Sequence, residues 1–162
     1  MWWQGKGGML TNQLRNRIRT MLNFEHPPDY LIIHVGANDL GSMSTMDLCN
    51  KLKNTVKVIS AYNVLGTRNI WSQTLPRFKW RYSTDWIAME KCRYRVNNSV
   101  ATDVLKHGGH YIRYPDIIRE RKWFKDDDVH LAPVANNIFL NTLQGSIEHF
   151  ISGLGIVYPP QY

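Results

Sequence analysis

Tyr30-Leu31-Ile32-Ile33-His34-Val35 form an apolar run that stops abruptly at Gly36-Ala37-Asn38-Asp39. A run apolar at successive positions, without alternation, predicts a strand covered on both faces, as in the middle of a parallel sheet. The switch to a polar, glycine-bearing loop marks the carboxyl end of that strand, where open α/β sheets place their ligands and reactive groups. Far downstream, Asp127-Asp128-Val129-His130 sets carboxylates and an imidazole within three residues of one another, just before a helical segment. The two features together point to a hydrolase site.

The rest of the chain alternates in the same sense. Leu10, Leu14, Ile18 and Leu22 recur every four residues, with Arg15, Arg17 and Arg19 between them, which predicts an amphipathic helix over Asn12 to Met21 that ends before Pro27-Pro28. Ahead of it, Met1 to Trp3 reads as the stump of a strand and Gly5, Gly7 and Gly8 as a loop. Met46, Leu48, Leu52, Val56, Ile59 and Tyr62 predict a helix over Thr45 to Leu65, with Ser44 as its N-cap and Asp47 near the positive end of its dipole. Asn69 to Gln73 reads as a short strand, Trp86 to Leu105 as a helix closed by Gly108-Gly109, and His110 to Tyr114 as the next strand. Pro133 opens a last helix whose apolar face is Val134, Ile138, Leu140, Leu143, Ile147 and Phe150. Strands alternating with helices predict an α/β fold, a parallel sheet with helices on both faces joined by right-handed crossovers. Residues 153–162, with Pro159-Pro160, read as an unstructured tail, leaving 1–152 as one domain.

Composition bounds the function classes. A chain of 162 residues that is 43% hydrophobic carries one substantial core. The formal charge of +7 favours polyanions or acidic surfaces, but Arg77, Lys79, Arg81, Lys91, Arg93 and Arg95 are spread among aromatics and read as a solvated face. Cys49 and Cys92 stand alone, so neither a disulfide framework nor a zinc site is expected. His34 reads as a sheet-face histidine, and His107 and His110 lack a carboxylate at metal spacing; no metal or cofactor is expected. With no apolar stretch long enough to span a bilayer and no secretory signature, the expected product is soluble and intracellular, without a membrane partner.

Two readings compete at each candidate site. The Asn38 amide, at the carboxyl end of a buried strand, can donate to charge developing on a substrate oxygen, aided by backbone N–H groups near Gly7 and Gly8. Equally, Asn38-Asp39 can shape a turn and cap the next helix. His130 can act as general base with Asp127 or Asp128 fixing its tautomer. Equally, the acidic trio Asp126-Asp127-Asp128 can be a solvated loop capping the last helix.

Taken in order, the glycine loop, Gly-x-Asn-Asp after a strand and Asp-x-x-His before the last helix resemble the second, third and fifth blocks of the SGNH (GDSL-type) hydrolase family. The stretches Trp71-Ser72-Gln73-Thr74-Leu75-Pro76-Arg77 and Asn137-Ile138-Phe139-Leu140-Asn141 are also similar to the SGNH-like domains of vertebrate retroelement-derived proteins. The resemblance implies a three-layer α/β/α, flavodoxin-like fold and ester hydrolysis through a serine acyl-enzyme. It implies His130 as base, Asp127 as its orienting carboxylate, Asn38 and Gly8 as oxyanion donors with Gly7 as the alternative, and Asp39 as a structural residue.

One block is missing. Family members carry the nucleophilic serine in a Gly-Asp-Ser block after a first, central strand, and no Gly-Asp-Ser occurs in these 162 residues. Ser42 and Ser44 read as turn and N-cap residues, and Ser72 as a strand end. The resemblance therefore implies a domain truncated at its N-terminus, a pseudoenzyme with little esterase activity unless an upstream segment supplies the serine for a small ester substrate. The alternative is a non-catalytic, retroelement-derived binding module, associated with nucleic acid through its positive charge. An uncovered sheet edge would also favour self-association. The sequence marks neither the acyl pocket nor the oligomeric state.

Overall fold

The computed structural model describes residues 3–23, 25–62 and 66–160. Its elements follow in the order α1 (Thr11–Leu22), β1 (Tyr30–Ile33), α2 (Thr45–Tyr62), β2 (Arg68–Ser72), α3 (Trp86–Lys106), β3 (His110–Ile112), α4 (Pro133–Ile151) and β4 (Val157–Tyr158). All three strand pairings are parallel and the strands lie in chain order, β1-β2-β3-β4. The expected α/β fold is present. Met1 and Trp2 of the expected strand stump, and 63–65 at the end of the expected second helix, lie outside the described residues.

Alternation along the strands divides the core into two layers. Ile33, Trp71 and Tyr111 point into a cluster with Ile18 of α1, Leu48, Leu52, Val56 and Ile59 of α2, and Met89, Val96, Val100 and Val104 of α3. Ile32, Ile70 and Ile112 face the other way and meet Phe139, Leu143 and Phe150 of α4. The sheet is thus sandwiched, three helices on one face and one on the other.

The helix ends follow their local chemistry. Ser44 Oγ accepts from Asp47 N–H at 3.1 Å and donates to the Asp47 carboxylate at 2.6 Å, so the predicted cap and the acidic first turn act together. At the end of α3, Gly108 N–H donates to Leu105 O and Gly109 N–H to Val104 O, the double bond of a Schellman turn.

Two expectations are corrected. The apolar run does not lie in the middle of the sheet: β1 occupies an edge, and no described residue pairs with its outer side. Burial of a strand's faces by helices above and below does not require neighbours on both sides, which is why the pattern misled. Nor are residues 153–160 an unstructured tail. Tyr111 N–H donates to Ile156 O at 2.9 Å and Arg113 N–H to Tyr158 O at 2.7 Å, drawing β4 onto the open edge of β3. A two-residue strand has no periodicity to read, and the following prolines signal only where pairing stops.

Candidate active site

The carboxyl end of the sheet gathers three segments. The first is the loop after β1, which turns at Gly36, where φ is +106° and a Cβ would stand 3.2 Å from Leu52 Cδ1. Only glycine holds that backbone without strain. The Gly36 carbonyl then accepts from the N–H groups of Asp39 and Leu40, and the tight turn presents Asn38 and Asp39.

Asp39 points inward. It is 2% exposed, and its Oδ2 accepts from Thr11 N–H at 2.9 Å and Thr11 Oγ at 2.8 Å, while Lys51 Nζ stands 3.4 Å from Oδ1. Thr11 is the first residue of α1, whose leading N–H groups have no intrahelical acceptor. A carboxylate from a distant loop therefore caps α1 and pins the glycine loop to the loop after β1. Asn38 strengthens the same junction, its Nδ2 donating to Met9 O at 3.1 Å, next to Gly8 with φ +69°. The glycine loop and the Gly-x-Asn-Asp loop, read as separate motifs, meet here.

The second segment carries the base. Asp127 Oδ1 accepts from the backbone N–H groups of Val129 and His130, each at 2.9 Å, and Oδ2 lies 2.6 Å from His130 Nδ1. Of the two carboxylates left open by spacing, Asp127 and not Asp128 contacts the imidazole. Asp128 instead adopts φ +62° and points its side chain at Arg121 Nε, 3.2 Å away. Both members of the dyad are exposed, His130 at 73% and Asp127 at 49% of their side chains. The backbone N–H of His130, its imidazole and the N–H of Val129 all favour the charged carboxylate, and hold the Asp127 pKa well below the usual carboxylate range.

That depression has a measurable consequence. The folded pKa lies below the unfolded one, so the ionised Asp127 carboxylate favours the fold above the ordinary carboxylate pKa, and this contribution is lost as pH falls through the lowered value. A carboxyl-carbon NMR titration should find Asp127 still ionised at pH values where an ordinary aspartate is protonated. His130→Ala should move it back toward the ordinary range; an Asp127 that titrates in that range in the wild type would contradict the geometry.

The third segment, after β2, joins the other two. Arg77 Nη2 donates to Asn38 Oδ1 at 3.0 Å, and the N–H groups of Phe78 and Lys79 both donate to Asp128 O, at 3.0 and 2.9 Å. Three consecutive residues thus tie the Asn38 loop to the Asp127–His130 loop. The two donors on one carbonyl also account for Asp128 in the left-handed region, a conformation aspartate tolerates better than most residues. Arg119 buttresses the segment, its guanidinium 4.1 Å from the Phe78 ring centre, 4.6 Å from that of Trp86, and donating to Phe78 O.

Anchoring behind this segment is buried. Thr74 N–H donates to Asn97 Oδ1 at 2.8 Å, while Thr74 O accepts from Asn97 Nδ2 at 3.1 Å and Arg93 Nη1 at 2.9 Å. Arg93 is itself paired with Glu90 through three contacts of 2.6 to 3.0 Å. Sequence reading missed this whole connection, placing Arg77 and Arg93 on a solvated face, whereas Arg93 is 4% exposed. Its signal lay in the polar residues of α3 at positions 90, 93 and 97, a stripe at helical spacing on a face that must bury.

The serines occupy other roles. Ser42 Oγ donates to Asp39 O, Ser44 caps α2, and Ser72 is fully buried between His34 Nδ1 at 3.0 Å and Tyr114 OH at 2.6 Å. Although His34 keeps solvent contact on one side, the protein packed around its ring, then the Arg77 charge, lower its pKa to about 4. Among the described residues no hydroxyl hydrogen-bonds the free ring nitrogen of His130. Nor do any three His, Cys, Asp or Glu side chains among them cluster as a metal site, and no helix there is long and apolar enough to cross a membrane. Two clefts, about 410 Å³ along α1 and about 310 Å³ between α3 and β4, include neither Asn38 nor His130.

Solved structures with this architecture include a candidate acylhydrolase from Bacteroides fragilis, 16% identical, with a TM-score of 0.73 over 91% of this chain and 74% of that one. A GDSL-like lipase from Bacteroides thetaiotaomicron is similar at 16% identity and a TM-score of 0.71, over 90% of this chain and 74% of that one. TesA is similar at 19% identity and 0.60, over 86% and 73% respectively. No protein-family model and no curated protein matches the sequence. The chain has the parallel α/β/α fold of SGNH-type hydrolases.

Proposed function

We propose that this chain is an SGNH hydrolase-type domain that carries the base and oxyanion half of an ester-hydrolysing site. The observation that carries the reading is the Asp127–His130 pair at 2.6 Å, immediately before α4, in a chain with this fold. Asp127 accepts a hydrogen bond from Nδ1–H and leaves the Nε2 lone pair free to take a proton from an attacking hydroxyl. Asn38, whose Nδ2 spends one hydrogen on Met9 O and keeps one free, and the Gly8 N–H are the donors for a tetrahedral oxyanion, with Gly7 as the alternative to Gly8. Among the described residues no serine hydrogen-bonds His130, so the 162-residue polypeptide by itself turns over esters little or not at all.

Two measurements test this. Nitrogen NMR of the His130 ring at neutral pH should find the Nδ1–H tautomer; a ring protonated only at Nε2 would remove its lone pair from the reacting side and refute the base assignment. Short-chain p-nitrophenyl esters should be hydrolysed no faster than by His130→Ala. Turnover that disappears in that variant would overturn the inactivity while supporting the hydrolase.

A further inference from the structure

Arg77 has no acidic partner, unlike two other arginines near this site. Arg93 is paired with Glu90, and Arg121 with Asp126 and Asp128. Among the described residues no carboxylate lies within 4 Å of Arg77, and its fork makes one hydrogen bond, to Asn38 Oδ1. The residue is half-buried, with its guanidinium 5.6 Å from the Trp80 ring centre. Burial, then the neighbouring positive charge of Arg81, press its pKa down. A partly desolvated cation beside another cation, with most of its N–H donors unspent, is electrostatically incomplete.

The contact also fixes Asn38. A guanidinium has donors only, so the amide atom facing Arg77 must be Oδ1, and the NH2 group is turned toward Met9 O and the glycine loop. Withdrawal of electron density at Oδ1 makes the remaining Asn38 N–H a stronger donor. The unspent Arg77 donors and that N–H belong to two side chains in direct contact at the carboxyl end of the sheet.

We propose that Arg77, together with the free Asn38 amide hydrogen, forms an anion-binding site that takes a carboxylate. The planar fork matches the two oxygens of a carboxylate, and a carboxylate is what ester hydrolysis releases; the choice of ligand rests on the functional reading above, whereas the cationic site does not. Arg77 is thereby a product- or acyl-recognition residue, and acts on Asn38 as a positioning residue.

The test is a nitrogen-detected NMR titration of the intact chain with sodium acetate against sodium chloride at matched ionic strength. Acetate should move the Asn38 side-chain amide and the Arg77 Nε–H signals saturably, and chloride should not. Arg77→Gln, which keeps a donor and removes the charge, should weaken the Asn38 response at least about tenfold. Lys57→Gln, which removes the same charge from an exposed position on α2, should leave it within about twofold of wild type. Wild-type signals unmoved by acetate, or an Asn38 response equal in wild type and Arg77→Gln, would overturn the proposal; so would an equal loss in Lys57→Gln, which would reduce the effect to net charge. The His130 tautomer does not depend on Arg77, so the base assignment and the carboxylate site can fail separately.

Discussion

Glu90→Ala should cost about 3–5 kcal/mol, because it strips the partner from a charge that cannot reach water. Arg93 is 4% exposed, and Glu90 supplies three of its four hydrogen bonds. With the carboxylate gone, a buried guanidinium keeps only Thr74 O. For a chain of this length the loss corresponds to a fall of roughly 10 °C in melting temperature. The damage should extend to the site, since Arg93 and Asn97 hold Thr74, and Thr74 starts the segment that carries Arg77 to Asn38 and Phe78 and Lys79 to Asp128. Calorimetry of Glu90→Ala beside Arg93→Met separates the terms. Arg93→Met leaves a carboxylate that water can still reach and should cost less. A Glu90→Ala protein that melts within about 2 °C of the wild type would sink the account.

Asp39→Ala should be nearly as severe, at about 3 kcal/mol, and more local. Two buried donors of Thr11, its N–H and its hydroxyl, lose their acceptor, and Lys51 loses its counter-charge. Because Asp39 is what fastens α1 to the loop after β1, hydrogen exchange should accelerate first in the opening turn of α1 and in the glycine loop. Exchange that rises uniformly over the sheet, or not at all, would contradict the capping role. Asp39→Asn, which keeps an acceptor, should recover part of the loss.

The sequence made the elements readable and left their junctions hidden. Helices α1 to α4 announce themselves because their apolar faces repeat at helical spacing over a dozen residues or more, and β1 because apolar residues follow one another without a break from Tyr30 to Ile33. Asp127 and His130 were readable as a pair because their partnership is local, made across a single turn. Asn38 was readable as a residue but not in its contacts. Met9, Arg77 and Thr11 reach the Asn38-Asp39 loop from 28 to 39 positions away, and nothing in local spacing encodes such contacts. The edge position of β1 was unreadable for a related reason. Hydrophobic pattern reports what lies above and below a strand, whereas lateral neighbours are chosen through backbone groups that every residue shares.

The strand order has a consequence for how the chain is made. Since β1, β2, β3 and β4 are neighbours in the order of synthesis, each new strand docks on the one completed just before it and never has to insert between two that are already paired. The sheet can therefore assemble from one side while the ribosome is still at work, each strand arriving with the helix that covers it. Arrest or truncation late in translation would strip the outermost strand and leave the pairings behind it intact.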